Sequence, residues 1–195
     1  MLEFLFGKKK NELQTIEYIW KNDYAKYKGI LRMTDRSKPI IFIYYFIETK
    51  NQIQQLIETM QVSFSSDIYK QDKITITHAE NILDAKIDLT HTTVCFIEHH
   101  PSFTTEHKIL NYLENDLQIK EVIFHIALTE PLLHYFAGDK IVPLLEKMGF
   151  DENEALQHSM ITRSIINAQK KIDDKNPNSI ETQSAKHWFE VNLPK

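Results

Sequence analysis

Glycine is scarce in this sequence, which contains only Gly7, Gly29, Gly138 and Gly149. The phosphate-binding loops of P-loop and dinucleotide-binding proteins need closely spaced glycines, because the backbone must approach the anion without a Cβ in the way. No two of the four lie near enough to form such a loop. The sequence therefore excludes a nucleotide site of either standard kind.

Paired cysteines, long apolar runs and an excess of positive charge are also missing. The single cysteine, Cys95, cannot form an intramolecular disulfide and fits a reducing compartment. No apolar run reaches the roughly 18 residues of a membrane helix, and residues 1–6 lack the basic start of a signal peptide. A net charge of -4 argues against nucleic acid as a partner. We expect a cytoplasmic protein with no integral membrane segment and no nucleic-acid partner.

Apolar runs rich in β-branched and aromatic residues alternate with amphipathic patterns along the chain. The runs predict five strands, the second of them weak: 40–46, 62–64 with 68–69, 74–77, 93–97 and 122–127. Helical periodicity predicts helices over 49–60 and 105–117, and a helix or turn over 78–85. Because strands that alternate with helices form parallel sheets, we expect a three-layer α/β fold with a mainly parallel five-stranded sheet and helices on both faces.

The start of the chain carries apolar residues at helical spacing, which predict a first helix over 11–28 followed by a connection over 29–38. The spaced residues are Leu13, Ile16, Trp20, Tyr24 and Tyr27.

Helix-ending and helix-starting signals follow one another after Leu132. A short apolar helix, a turn at 137–139 and a second apolar helix lead to Gly149, which suits a left-handed C-cap. Asp151 is the predicted N-cap of the next helix, with Glu154 completing a capping box.

That next helix is predicted to have one apolar face, formed by Ile161, Ile165, Ala168 and Ile172. Pro177 ends the helical pattern, because proline cannot continue a helix. A last short helix is predicted through Trp188 and Phe189.

This C-terminal stretch resembles the end of the second motor domain of the SecA protein-translocation ATPases and the start of their helical scaffold. The matching segments are Pro131-Leu132-Leu133, Phe136-Ala137-Gly138-Asp139, Lys147-Met148-Gly149, Glu154-Ala155-Leu156-Gln157-His158 and Ala168-Gln169-Lys170-Lys171-Ile172.

Upstream segments are similar to the same motor domain. They are Lys38-Pro39-Ile40-Ile41, Ile47-Glu48-Thr49-Lys50 and Ile74-Thr75-Ile76-Thr77. The segment 97–102 also keeps the acid and the histidine of the family's Thr-Glu-Arg-His-Glu-Ser. The resemblance implies a RecA-like domain over 1–150, a truncated scaffold-like helical arm over 151–195, and a link to protein translocation. It also implies a protein partner, either a translocation component or a second copy, because this segment packs against other domains in the family.

The residues that carry the family's ATPase chemistry have no match. Its first motor domain, which supplies the Walker lysine and the Mg²⁺ ligands, has no counterpart here. Its Gly-Arg-Gly-Thr-Asp turn falls on 81–85 and its arginine-rich run falls on 112–117, where no arginine stands. Arginines that stabilise a transferring phosphoryl group contribute ~10³–10⁵ in rate in other NTPases. We expect a non-catalytic interaction module with no catalytic residue and no cofactor; vestigial nucleotide binding without turnover is the weaker alternative.

A histidine-rich patch offers the main alternative chemistry, through Glu98, His99, His100, Glu106 and His107. These side chains could supply nitrogen and oxygen ligands to a zinc-like ion. They also follow a predicted parallel strand, at the edge where open α/β sheets bind ligands. Their spacing matches no standard metal motif, so we favour hydrogen-bonded or solvated loop residues. A small metal-dependent or ligand-binding protein that uses this patch is the alternative function.

Other reactive residues have simpler structural interpretations. Cys95 lies within an apolar strand and is expected to be a small buried hydrophobe. His125 is expected to be a satisfied core group. The aromatic residues at 44–46 favour core packing over a stacking platform for nucleic acid.

Overall fold

The centre of the molecule is a five-stranded sheet in which neighbouring strands are all parallel. The computed structural model describes residues 13–34, 37–70, 73–83, 85–137, 151 and 153–193. The strands are β1 (Gln14–Trp20), β2 (Ile40–Tyr44), β3 (Ile74–His78), β4 (Thr93–Phe96) and β5 (Glu121–Ala127). Their order across the sheet is β1-β5-β4-β2-β3. The predicted five-stranded parallel α/β fold is confirmed.

Helices cover both faces of this sheet and complete the three layers. They are α1 (Asp23–Met33), α2 (Ile47–Thr59), α3 (Phe103–Asn115), α4 (Pro131–Ala137), α5 (Ser159–Lys175) and α6 (Ala185–Asn192), with a short 3-10 helix at Ala79–Ile82. Because side chains alternate along a strand, Ile41 and Ile43 of β2 enter one apolar core and Phe42 enters the other. The first core contains residues of α3, α4, α5 and α6, and the second contains residues of α1 and α2.

The predicted helix over 11–28 is wrong, because the described part of this range contains strand β1 and the start of α1. Gln14 donates its N–H to the Lys120 carbonyl at 2.9 Å, and Leu128 donates to the Trp20 carbonyl at 2.8 Å. This pairing joins segments about a hundred residues apart and overrides the local periodicity, as tertiary context often does. The side chain of Asn22 then caps α1, which continues through Gly29 where a connection was expected.

Two further predictions of local structure are wrong. The weak strand signal at 62–69 gives only an isolated bridge between Ser65 and Thr75, so the fifth strand is β1 instead. Asp151 does not cap a helix, since α5 begins eight residues later and is capped by His158. The physical reason is a pair of hydrogen bonds between Leu156 and Ile19, at 2.9 and 3.0 Å, which hold the chain extended beside β1. The turn, helix and C-cap predicted within 138–150 lie outside the described residues.

The C-terminal helices agree with the sequence prediction. The apolar face of α5 is buried, and α5 ends at Lys175, just before Pro177. Trp188 of α6 is fully buried in the first core. The domain boundary near residue 150 stays a prediction, although α5 and α6 share one core with the sheet. Within the described ranges, the helices are too short or too polar to cross a membrane.

Gly29 allows α1 to pack closely on β1. A Cβ built at this position would overlap the indole ring of Trp20. Trp20 is itself fixed, because its Nε1–H donates to His125 Nδ1 at 3.3 Å.

We predict that Gly29→Ala destabilises the fold by about 1–3 kcal/mol in urea unfolding, as overpacked cores do. Helix propensity alone predicts the opposite sign, a gain of about 1 kcal/mol, because Gly29 lies inside a helix. The same substitution made in a Trp20→Leu background serves as the control, since the overlapping ring is then absent. A stabilised single variant, or an equal loss in both backgrounds, would show that the close approach to Trp20 does not matter.

A buried polar network as the candidate functional site

The loops that follow β2, β4 and β5 meet at the carboxyl edge of the sheet, where open α/β folds bind ligands. The structure brings four of the five predicted patch residues into this region: Glu98, His99, His100 and Glu106, all buried. The fifth, His107, is exposed and stacks on the ring of Phe103 at a centroid distance of 4.9 Å. The patch is therefore a buried network with one member outside it.

Glu98 joins the end of β4 to the start of α2. Its Oε1 accepts the N–H groups of Tyr45 and Phe46, both at 2.9 Å, and its Oε2 accepts the Thr49 hydroxyl at 2.6 Å. The α2 N-cap, Phe46, has no side-chain cap hydrogen bond, and Glu98 instead fixes the two residues that lead into the helix and the Thr49 hydroxyl in its first turn. Burial raises the pKa of Glu98 to about 7, against the lowering effect of these bonds.

Glu106 of α3 accepts hydrogen bonds from two separate parts of the chain. Its carboxylate oxygens lie 2.9 and 3.0 Å from Nδ1 of His99, and Oε2 also accepts the N–H of His100 at 2.9 Å. Gln169 of α5 donates its Nε2–H to Glu106 Oε1 at 3.0 Å and to the His100 carbonyl at 2.8 Å. Glu106 and Gln169 together fasten α5 to the loop after β4.

His99 is held between two carboxylates and an aromatic ring. It stacks on Phe124 at 4.3 Å, and its Nε2 lies 3.6 Å from Glu17 Oε1 of β1. Burial by itself would lower the pKa of His99, but Glu106 and then Glu17 outweigh it and raise that pKa to about 9. His99 is therefore an imidazolium at neutral pH that links β1, β4 and α3.

His100 is enclosed by aromatic side chains. Its ring stacks on Phe46 at 5.8 Å and meets the ring of Trp188 edge-on. Its Nδ1 accepts the Ser102 N–H at 3.0 Å, which places a proton on Nε2, 3.6 Å from Glu181 Oε1. The contact with His100 holds the pKa of the Glu181 carboxyl below its ordinary value.

Lys26 of α1 adds a buried cation to the same edge. Its Nζ donates to Glu130 Oε1 at 2.8 Å and to the Ile97 carbonyl at 3.2 Å. Burial would lower the pKa of Lys26, but the charge of Glu130 outweighs it and raises the pKa above its ordinary value. Lys26 therefore keeps its positive charge, which Glu130 neutralises.

A small cleft of about 170 Å³ opens beside these groups. Ligand pockets occupy roughly 300–1,000 Å³, so this cleft is below their usual size. Its charged lining comprises four carboxylates and three basic groups: Asp23, Glu48, Glu98 and Glu130 with Lys26, His99 and Lys186.

Most of the possible ligand atoms of the patch are already engaged by protein groups. Both oxygens of Glu98 and of Glu106 already accept hydrogen bonds from protein groups, as does Nδ1 of His100. Within the described part of the chain, no group of three His, Cys, Asp or Glu side chains is placed to hold a metal ion. The geometry instead gives the network a joining role between elements.

Two other residues singled out from the sequence lie in the core. His125 accepts a hydrogen bond from Trp20, and burial, helped by Lys26, lowers its pKa to about 3. Cys95 is buried, and burial raises the pKa of its thiol to about 12, so it is not a thiolate nucleophile near neutral pH.

Sequence reasoning missed the partners of the network. Gln169 was visible only as part of the C-terminal resemblance, and its contact with His100 spans 69 residues. Thr49 was likewise visible only as part of the upstream resemblance, and Lys26 and Glu17 carried no local signal, because each is an ordinary polar residue until the fold brings it to this edge.

The structure shows an α/β fold built on a parallel five-stranded sheet, and comparison with known proteins finds similarity to SecA translocase subunits. No family model matches the chain. Protein translocase subunit SecA 1 of Alkaliphilus metalliredigens is 47% identical over 53 residues, which are 27% of this chain and 6% of that protein. SecA of Thermus thermophilus is 42% identical over 53 residues, 27% of this chain and 5% of that protein.

A longer match extends the similarity across most of the chain. SecA 1 of Chlorobium chlorochromatii is 22% identical over 185 residues, covering 82% of this chain and 18% of that protein. A crystal structure of the C-terminal part of the Fun30 ATPase domain aligns over 74% of this chain and 50% of that chain, with 11% identity and a TM-score of 0.37. The chain is thus similar to SecA translocase subunits, and it spans less than a fifth of their length in these matches.

We predict that the free energy of unfolding falls as the pH rises from 7 to 9. The folded state keeps a proton on His99 up to a pH of about 9, whereas an unfolded histidine loses it near 6.5. The folded state therefore binds more protons in this window, and stability is lost as the pH rises. The loss is at most roughly 3 kcal/mol, since each pKa unit corresponds to about 1.4 kcal/mol.

Urea unfolding at several pH values checks this expectation, with His99→Gln as the control variant. The variant has no titrating ring, so its stability should stay nearly flat over the same window. Glu98, with a pKa of about 7, acts in the same direction but mainly at lower pH. A parent protein as stable at pH 9 as at pH 7 would contradict the assignment of a charged His99.

Proposed function

We propose that this chain is a non-catalytic interaction module related to the SecA motor, linked to protein translocation, with another protein as its partner. The contact between Gln169 and the loop of His100 carries the proposal. Both residues belong to segments that resemble SecA, and in this fold they bond at 2.8 Å. The segments that resemble SecA therefore include the contact between α5 and the loop after β4.

The positions that would handle phosphate support a non-catalytic role. Residues 81–85 and 112–117 correspond to the two segments that carry arginines in the SecA family. They contact each other here, because the Tyr112 hydroxyl donates to the Ala85 carbonyl at 3.3 Å. Neither segment contains an arginine. In the cleft, the buried cation Lys26 is already paired with Glu130. A triphosphate would meet more carboxylates than free cations there, which disfavours its binding.

Exposed apolar side chains near α6 supply a surface for a protein partner. Ile180, Val191 and Ile47 are all exposed. Ile180 N–H donates to Asn192 Oδ1 at 2.7 Å, and Glu48 N–H donates to the Gln183 carbonyl at 3.0 Å, which brings their segments together. Exposed apolar surface of this kind marks interaction sites when it is contiguous.

The test measures nucleotide binding and partner binding on the same purified chain. We expect no shift of the melting temperature with saturating Mg-ATP or Mg-ADP. A ligand at 100 times its dissociation constant adds about 2.7 kcal/mol to the free energy of unfolding. A functional nucleotide site would therefore raise the melting temperature by several degrees. We also expect sedimentation analysis to show a complex with SecA of the same organism, with another of its translocation proteins, or between two copies.

Ile180→Asp should weaken that complex, because it places a charge on the proposed surface. Tyr69→Asp is the matched control, since Tyr69 is equally exposed at 63% and lies in a different part of the chain. A nucleotide-dependent shift accompanied by ATP hydrolysis would overturn the non-catalytic assignment, whereas a shift without hydrolysis would indicate vestigial nucleotide binding. A chain that stays a monomer and binds no translocation protein would overturn the interaction module.

A further inference from the structure

A groove of about 470 Å³ crosses the amino ends of β2 and β3, at the opposite edge of the sheet from the buried network. It lies between two connecting segments. Ser65, in the segment after α2, pairs with Thr75 of β3, and residues 85–92 lead into β4 without forming a helix or strand. Ligand pockets occupy roughly 300–1,000 Å³, so this groove, unlike the cleft beside Glu98, has the size of a small-molecule site.

The floor and walls of the groove are mainly apolar. Ile41 of β2 and Leu89 both line it and belong to the first core. Ile68 and Ile87, one from each connecting segment, are half-buried and pack against that core. Tyr69 adds an aromatic ring that is 63% exposed. An apolar ligand in the groove would remove these side chains from water, which favours its binding.

The rim of the groove carries more positive than negative charge among its described residues. Lys70 and Lys86, one from each connecting segment, are exposed and line the groove together with His91. Neither lysine makes an ion pair with another residue of the described ranges. One carboxylate lies in the same lining, that of Asp88, and its Oδ1 already accepts the Thr90 N–H at 2.8 Å. Two lysines therefore face the solvent above an apolar floor, in a chain whose net charge is -4.

We propose that this groove binds a small amphipathic anion, a carboxylate carried on an apolar body. The apolar body lies over Ile41 and Leu89, and the carboxylate lies between Lys70 and Lys86. An uncharged ligand of the same shape loses the attraction of both lysines. The groove shares no residue with the apolar surface around Ile180, so this proposal does not depend on the proposed function.

Titration of the nitrogen-15-labelled chain with 2-naphthoate and with uncharged 2-naphthamide, followed by amide chemical shifts, tests the site. We expect saturable binding of naphthoate and about fivefold weaker binding of naphthamide, since exposed charge pairs contribute modestly. Lys86→Glu should weaken naphthoate about fivefold and leave naphthamide unchanged. Lys171→Glu on α5 changes the net charge equally and should bind like the parent. If Lys86→Glu also loses naphthamide, its fold has changed, and Lys70→Glu with the same expectation decides.

The same titration locates the site, because each amide is observed separately. The naphthoate shifts should be largest for Ile41, Thr75 and Leu89 and absent around Ile180. Shifts centred elsewhere, a titration that does not saturate, or equal affinity of the parent for both compounds would each overturn the proposal. Naphthoate binding that is unchanged in the lysine variants would overturn it as well.

Discussion

The hydrogen bonds to the carboxylate of Glu106 are the interaction on which the rest of the structure depends. A buried carboxylate is costly unless donors surround it, and here they come from His99, His100 and Gln169. These donors lie on the loop after β4 and on α5, so satisfying one charge fixes the position of a helix more than sixty residues away. With α5 in place, Ile165 and its neighbours fill the first core.

The same constraint explains why this edge of the sheet joins elements and does not form an open ligand site. Glu98 fixes the backbone that leads into α2, His99 bridges two carboxylates, and Lys26 is neutralised by Glu130. These groups have the types of catalytic or metal-binding residues, but the hydrogen bonds of Glu98 and the charges of His99 and Lys26 are directed at other elements of the fold. Similarity to SecA subunits gives this arrangement a context, although fold resemblance alone does not carry function.

Local patterns were sufficient for the parts of the fold that local forces decide. The buried strands β2 and β4 show as continuous apolar runs, and the buried face of α5 shows as helical spacing. Strand β1 could not be predicted in this way, because its pairing with β5 is formed by residues about a hundred positions away. Asp151 has the sequence of a capping residue, yet the pairing of Leu156 with Ile19 delays the helix to Ser159.

The candidate site was predicted as a cluster but not as a network. The short spacing from Glu98 to Glu106 indicates that these side chains meet, and four of the five residues do lie buried at one edge. Their partners Thr49 and Gln169 lie some fifty and seventy residues away, so no local pattern reveals that the carboxylates are already satisfied. Only the contacts between residues distant in sequence show that these carboxylates hold elements of the fold together.

A double-mutant cycle of Gln169→Leu and Glu106→Gln in urea unfolding tests this joint most directly. Gln169→Leu alone should cost about 1–3 kcal/mol, because the His100 carbonyl and Glu106 lose a buried donor. The exposed control Lys171→Leu on the same helix should stay within about 0.5 kcal/mol of the parent. The two network substitutions should couple by about 0.5–3 kcal/mol. A Gln169→Leu variant no less stable than Lys171→Leu, with no coupling to Glu106, would contradict the account.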